Sequence, residues 1–252
     1  MTPRQRENFH RDGFLLLPRL APASLWQPIR RLAEQWLEEL AEPVEFESDL
    51  QYPGAPRSRS EQGGLTARRL LQVYQRHSWI QRWVHYPPLV EKLQAILGTP
   101  LLMPLAHHNC LMSKHPAYSS DSGWHQDLRY WSYQRGELIT AWLALGEENA
   151  NNGGLRLIPG SHRHRFEEQA FDEQRFFRTD LDDNQAWLKQ ALAVEMQAGD
   201  VLLFHSRLLH AASRNQGTET KLAAVFTFRH ADDTPLPESR SQRGGDVAIA
   251  GN

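Results

Sequence analysis

Cysteine is almost absent from this chain. Cys110 is the only one in 252 residues, which excludes an intrachain disulfide and a structural zinc site built from thiolates, and fits a reducing compartment. Long hydrophobic runs are also missing: the opening Met1-Thr2-Pro3-Arg4-Gln5-Arg6-Glu7 is polar, and no stretch is long enough to cross a bilayer. The expectation is a cytoplasmic protein with no membrane partner. Charge of one sign is not in excess, since 28 Lys and Arg stand against 30 Asp and Glu, so no general pull toward nucleic acid is expected. There is no internal repeat, no low-complexity tract and no H-E-x-x-H zinc signature. What remains is a chain of globular composition, read as one domain over residues 1–252 and large enough to bury a real core.

The N-terminal part, to about residue 98, reads as helical. Thr2 and Pro3 suit the cap and first turn of a helix that Gly13 stops, ahead of the apolar strand Phe14-Leu15-Leu16-Leu17. From Pro22 to Leu40, the residues Leu25, Ile29, Leu32, Trp36 and Leu40 recur at helical spacing, a stripe that belongs to a core. Residues 42–69, with Pro43, Pro53 and Pro56, read as an irregular excursion: either a surface loop or a segment that closes over substrate. Helical spacing returns from Leu70 to Leu97, broken at Pro87-Pro88 and ended at Gly98.

Short apolar runs separated by turn chemistry then predict strands at Leu101–Lys114, Leu138–Leu145, Gly154–Ile158, Val194–Met196, Val201–His205 and Leu222–Phe228. Phe171 to Leu192 reads as an insertion, helical from Asp183 to Ala191, and the tail 232–252 as loosely held. Helices first and many strands after, in a core of about 99–230, predict a mainly β fold: a sandwich or jelly roll with helices packed on one side.

The chemistry is concentrated in Gly123-Trp124-His125-Gln126-Asp127 and Phe204-His205-Ser206-Arg207-Leu208-Leu209-His210. On an extended strand His125 and Asp127, at i and i+2, point the same way and can grip one ion. A bare H-x-D arises easily in a chain with 12 His. A third ligand on a distant strand raises its value, because two imidazoles and one carboxylate form the facial triad of non-haem Fe(II) sites, with open positions for substrate and O₂. The third ligand is His210 or His205. The same donors with an open position also suit a Zn²⁺ hydrolase or isomerase on a cupin-like scaffold.

These segments resemble the phytanoyl-CoA dioxygenase family of Fe(II)- and 2-oxoglutarate-dependent oxygenases. The likeness runs over most of the chain: Asn8 to Leu15, Trp124-His125-Gln126-Asp127, Ala141-Trp142-Leu143-Ala144-Leu145, Asn152 to His162, and Gly199 to His210. The resemblance implies a double-stranded β-helix core, Fe(II) held by His125, Asp127 and His210, and 2-oxoglutarate as cosubstrate with O₂. It also implies hydroxylation of an unactivated C–H bond of a small molecule, with release of succinate and CO₂. The intact Asp127 argues against the halogenating branch of such enzymes.

Where the resemblance places an arginine for the far carboxylate of 2-oxoglutarate, this chain has Lys221. Lys offers a point charge without the bidentate fork of Arg. Arg229, on the same face of an alternating strand, is an alternative source of a guanidinium. If Lys221 does not serve, the expectation is use of a different oxo-acid, weak binding of 2-oxoglutarate, or a catalytically silent or regulatory metal-binding relative. Further positions matching the family's cosubstrate pocket are Asn109, Met112, Lys114, Trp142 and Ser213. Tyr118, Arg129, Tyr130, Trp131, Tyr133 and Arg135 are candidate substrate selectors whose arginines favour an anionic metabolite, and the basic stretch Arg156 to Arg165 is a second place for an anion or a solvated loop. Oligomeric state leaves no mark on the sequence.

Overall fold

The structure, a computed structural model, describes residues 1–249. Its elements run α1 (Pro3–Asp12), β1 (Phe14–Leu17), α2 (Ala23–Glu38), β2 (Val44–Phe46), α3 (Glu47–Leu50), β3 (Ala67–Leu71), α4 (Ser78–Val84), α5 (Pro87–Leu97), β4 (Leu101–Pro104), β5 (Asn109–Lys114), β6 (Ser122–His125), β7 (Leu138–Ala144), β8 (Leu155–Leu157), α6 (Asp182–Leu188), β9 (Leu192–Ala193), β10 (Val201–His205), β11 (His210–Ala212), β12 (Lys221–His230), α7 (Arg240–Arg243) and β13 (Asp246–Ile249). The first helix starts as its sequence dictates. The Thr2 hydroxyl accepts from the Gln5 amide, the Gln5 side-chain oxygen accepts from the Thr2 amide, and Pro3 fills the first turn. Gly13 ends it at φ 82°, where a Cβ would lie 2.3 Å from the His162 ring.

Nine strands form the larger sheet, in the order β1-β10-β7-β12-β5-β3-β2, with β4 joined to β12 and β13 to β4; β6-β11-β8-β9 form the smaller one. Every pairing is antiparallel. Side-chain alternation divides the large sheet cleanly. One face carries Leu143, Leu203, Ala224 and Phe226 against Phe9, Leu25, Ile29 and Ala33 of the helices. The other carries Trp142, Leu202, Phe204 and Val225 against Leu155, Leu157 and Ala212 of the small sheet. Trp83, Phe226 and Phe228 are fully buried, and each such side chain contributes about 1.5–3 kcal/mol by leaving water. This is the jelly-roll architecture with helices on one side that the strand pattern predicts.

Several local expectations are corrected. Residues 42–69 are irregular only in part: β2 and β3 extend the large sheet, with Arg69 registered against Met112. Leu101–Lys114 is two strands, interrupted before Asn109. Val194–Met196 is not a strand; Met196 makes a lone bridge with Glu148, and the strand lies just before, at Leu192–Ala193. The tail is tied down rather than loose, because β13 pairs with β4 and Asp246 bonds Arg229; residues 250–252 of that expectation lie outside the described residues.

Candidate active site

The small sheet places the H-x-D histidine and the distal histidine side by side. Strand β11 pairs with β6 so that His210 and His125 are direct partners, and their ring centroids lie 4.2 Å apart. The strand ends at His125, so Asp127 arrives by a route other than strand alternation: it opens a 3-10 turn, Asp127–Tyr130. That turn is pinned to the segment after β10, with the Leu128 amide donating to Ser206 O at 3.0 Å and the Gln126 amide group to Arg207 O at 2.6 Å. His210 likewise does not end β10; it opens β11 in the other sheet.

One ligand atom from each of His125, Asp127 and His210 lies within 4.8 Å of the others. His125 Nδ1 is 2.7 Å from Gly123 O and His210 Nδ1 is 3.0 Å from Leu208 O, so each ring donates through Nδ1 and turns the lone pair of Nε2 inward. These Nε2 atoms lie 3.9 Å and 3.5 Å from Asp127 Oδ1. Asp127 is 1% exposed, and its other oxygen accepts from the Thr140 hydroxyl at 3.0 Å. Burial, followed by the neighbouring His210, holds His125 well below its ordinary pKa. Two imidazole nitrogens and a buried carboxylate oxygen converging on one point are a donor set that fits a divalent metal ion.

His205, the competing third ligand, is excluded by geometry. It points to the helix-covered side of the large sheet, where its Nε2 is 2.9 Å from Glu137 and its Nδ1 accepts from the Arg207 amide. Arg229 is held by Asp246 and by the carbonyls of His230, Ala231 and Asp233, so it supplies no guanidinium to the cleft. Asn109 faces away as well; it accepts from the Tyr74 amide and donates to Gln75. Ser213 bonds Ala150 O and lies outside the cleft, whose wall there is made by Ala211 and Ala212. Met112, Lys114, Trp142 and Lys221 do line it.

Of the six expected substrate selectors only Tyr130 lines the metal cleft. The Arg129 guanidinium packs on Phe176 and Tyr130, Trp131 and Tyr133 are buried against His107, Tyr118 stacks on His115, and Arg135 belongs to the groove on the other face. His162, Arg163, His164 and Arg165 line that second groove too. The residues that sequence reasoning missed come largely from the supposed excursion: Tyr52, whose hydroxyl is 2.8 Å from that of Tyr130, and Arg68 and Arg69. His108, also missed, stands 3.8 Å from Asp127 with Nδ1 unpartnered, and burial above all lowers it to about 4. In the sequence it is a polar residue inside the expected strand Leu101–Lys114; in the structure it lies in the turn just before β5.

A family model described as phytanoyl-CoA dioxygenase (PhyH) matches residues 9–223, most of the chain. The chain belongs to the phytanoyl-CoA dioxygenase family. Among curated relatives of this family member, the peroxisomal phytanoyl-CoA dioxygenase of Homo sapiens is 25% identical over 249 residues, covering 92% of this chain and 69% of that protein. The ectoine dioxygenase of Bordetella bronchiseptica is 24% identical over 250 residues, covering 92% of this chain and 77% of that protein. The solved structure of EctD from S. alaskensis with 2-oxoglutarate and 5-hydroxyectoine aligns with a TM-score of 0.75 at 20% identity, over 100% of this chain and 87% of that one, and supports the fold. This PhyH-family chain is an oxidoreductase of the Fe(II)- and 2-oxoglutarate-dependent dioxygenase class, acting on a small molecule.

Proposed function

We propose that His125, Asp127 and His210 hold the Fe(II) and that this protein hydroxylates an unactivated C–H bond of a small metabolite bound in the cleft between the sheets. The observation that carries the reading is the convergence of His125 Nε2, His210 Nε2 and Asp127 Oδ1, with both Nδ1 atoms spent on backbone carbonyls. Held by His125, Asp127 and His210, Fe(II) would with 2-oxoglutarate and O₂ supply the oxidant, with succinate and CO₂ as coproducts. The protein's own groups do the rest. Thr140 fixes the rotamer of Asp127, Phe204 and Leu155 give the cleft dry walls, and the Tyr52–Tyr130 contact bridges the excursion and the metal turn at its rim. A dry, walled site strengthens every electrostatic contact inside it and limits side reactions with water. No helix among the described residues is long and apolar enough to cross a membrane; the buried, unpaired Cys110 supports the cytoplasm as the compartment.

The deciding measurement is an anaerobic titration of the Fe(II)-loaded protein with 2-oxoglutarate, followed by the weak visible metal-to-ligand charge-transfer band. The band is expected, together with Fe(II)- and O₂-dependent succinate release that His125→Ala abolishes. Activity that persists without O₂ and with Zn²⁺ would replace this reading with a hydrolase.

A further inference from the structure

The cleft is lined by four cationic side chains, Arg68, Arg69, Lys114 and Lys221. Three already face a carboxylate: Arg68 Nη1 lies 3.3 Å from Glu47, Arg69 Nε 2.6 Å from Glu45, and Lys221 Nζ 2.9 Å from Glu148. The Glu148 pair is a closed unit. The carboxylate is 1% exposed, one oxygen takes Lys221 and the other takes the Trp142 indole N–H at 2.8 Å. Lys114 stands directly opposite Lys221 across the β5–β12 ladder. Its ammonium donates to Ser120 O at 2.7 Å, and among the described residues no carboxylate lies within ion-pair distance of it. It is 8% exposed.

Two like charges directly opposed on neighbouring strands repel, and a buried ammonium without a counter-ion is costly. Burial first, then Arg68 and Lys221, lowers Lys114 to about 7. With Lys114 protonated, the charges of Lys114, Lys221 and Glu148 sum to one positive, the complement of one carboxylate.

Resting on the 2-oxoglutarate reading above, we propose that Lys114 is a second anchor for the far carboxylate of the cosubstrate, replacing the charge that Glu148 withdraws from Lys221. Glu148 acts as a positioning residue that sets how much of Lys221 the ligand meets. In this chain the single fork of an arginine has become a three-residue balance.

The test is calorimetric binding of 2-oxoglutarate to the Mn(II)-loaded protein without O₂, beside 2-oxovalerate, which keeps the keto acid and lacks the far carboxylate. Lys114→Met is expected to weaken 2-oxoglutarate by about 10- to 100-fold, the worth of a charge-assisted hydrogen bond, and to leave 2-oxovalerate unchanged. Glu148→Gln keeps an acceptor for Trp142, frees Lys221 and is expected to tighten 2-oxoglutarate several-fold. The double variant is expected to return close to the wild-type affinity, a rescue that structural damage would not give. Mn(II) affinity reports the integrity of each variant. Unchanged 2-oxoglutarate binding in Lys114→Met, or no tightening in Glu148→Gln, overturns the proposal while the metal and cosubstrate reading stands. Failure of the wild-type protein to bind 2-oxoglutarate at all would strike that reading itself.

Discussion

Histidines stand beside a carboxylate on both sides of the large sheet, and only one of these groups is built for metal. On the side facing the small sheet, His125 and His210 spend Nδ1 on backbone carbonyls and leave Nε2 directed at Asp127. On the other side, His205 spends both ring nitrogens, one on Glu137 and one on the Arg207 amide, and Glu137 is further engaged by the Arg207 guanidinium. The residue types are nearly the same. The difference is which lone pairs remain uncommitted, and that follows from the backbone carbonyls next to each ring. A histidine with a free inward nitrogen is a ligand; one with both nitrogens satisfied is a strut.

Substitutions on the two sides are expected to have unequal effects. The largest effect is expected from Asp127→Ala, which leaves two imidazoles without their carboxylate: Fe(II) affinity falls by more than about 100-fold, beyond what loss of a supporting group costs, and succinate release vanishes. Retained tight metal binding, measured by Mn(II) titration, would mean that the ion sits elsewhere. Thr140→Val removes the hydroxyl behind Asp127 Oδ2 and is expected to lower metal affinity by about 10-fold, at the lower end of the range for such partners. On the strut side, Glu137→Gln leaves metal affinity untouched and costs about 1 kcal/mol or less in chemical unfolding, since the pair is partly exposed.

The two sides respond to pH in the same sense but in different windows, each gaining stability as pH rises. The bond from His205 above all, partly opposed by burial, lowers Glu137 below its ordinary value. Its contribution is therefore present above the unfolded carboxylate pKa and fades as pH falls through the folded one. Lys114, whose pKa is lowered to about 7 by burial and by the repulsion of Arg68 and Lys221, partly offset by Glu47 and Asp121, carries a cost that is full below pH 7 and is relieved as pH rises from there toward 10.5. Lys114→Met is thus expected to raise the melting temperature of the metal-free protein at pH 6 by a few degrees and to have a smaller effect at pH 9. Equal shifts at both pH values would show that the lysine is not strained by its charge.

Much of the site was legible because the chemistry of its ligands is local in sequence. The H-x-D triplet and the strand with its following histidine are short motifs, and the choice of His210 over His205 followed from resemblance before geometry gave the reason. The pocket residues divide differently. Met112, Trp142, Lys114 and Lys221 sit on regular strands where alternation tells which face they share, and all line the cleft. Asn109 violates the same rule: three residues before Met112, it belongs to the opposite face and is consumed by Tyr74 and Gln75. Arg68, Arg69 and Tyr52 were illegible because the prolines and glycines around them signal loop, while strand β3 owes its existence to pairing with β5, a non-local contact with no local sequence signature.

Local sequence specifies the helical opening, the strand runs and the types of atoms offered to the metal. These follow from propensity, periodicity and donor chemistry, which act over a few residues. Long-range pairing is what brings Asp127 to the site from a 3-10 turn, makes His205 a strut, and sets Lys221 against Glu148 with Lys114 opposite. Those outcomes depend on register and on which buried charges meet, and a pairing across distant strands is fixed only when the sheet closes.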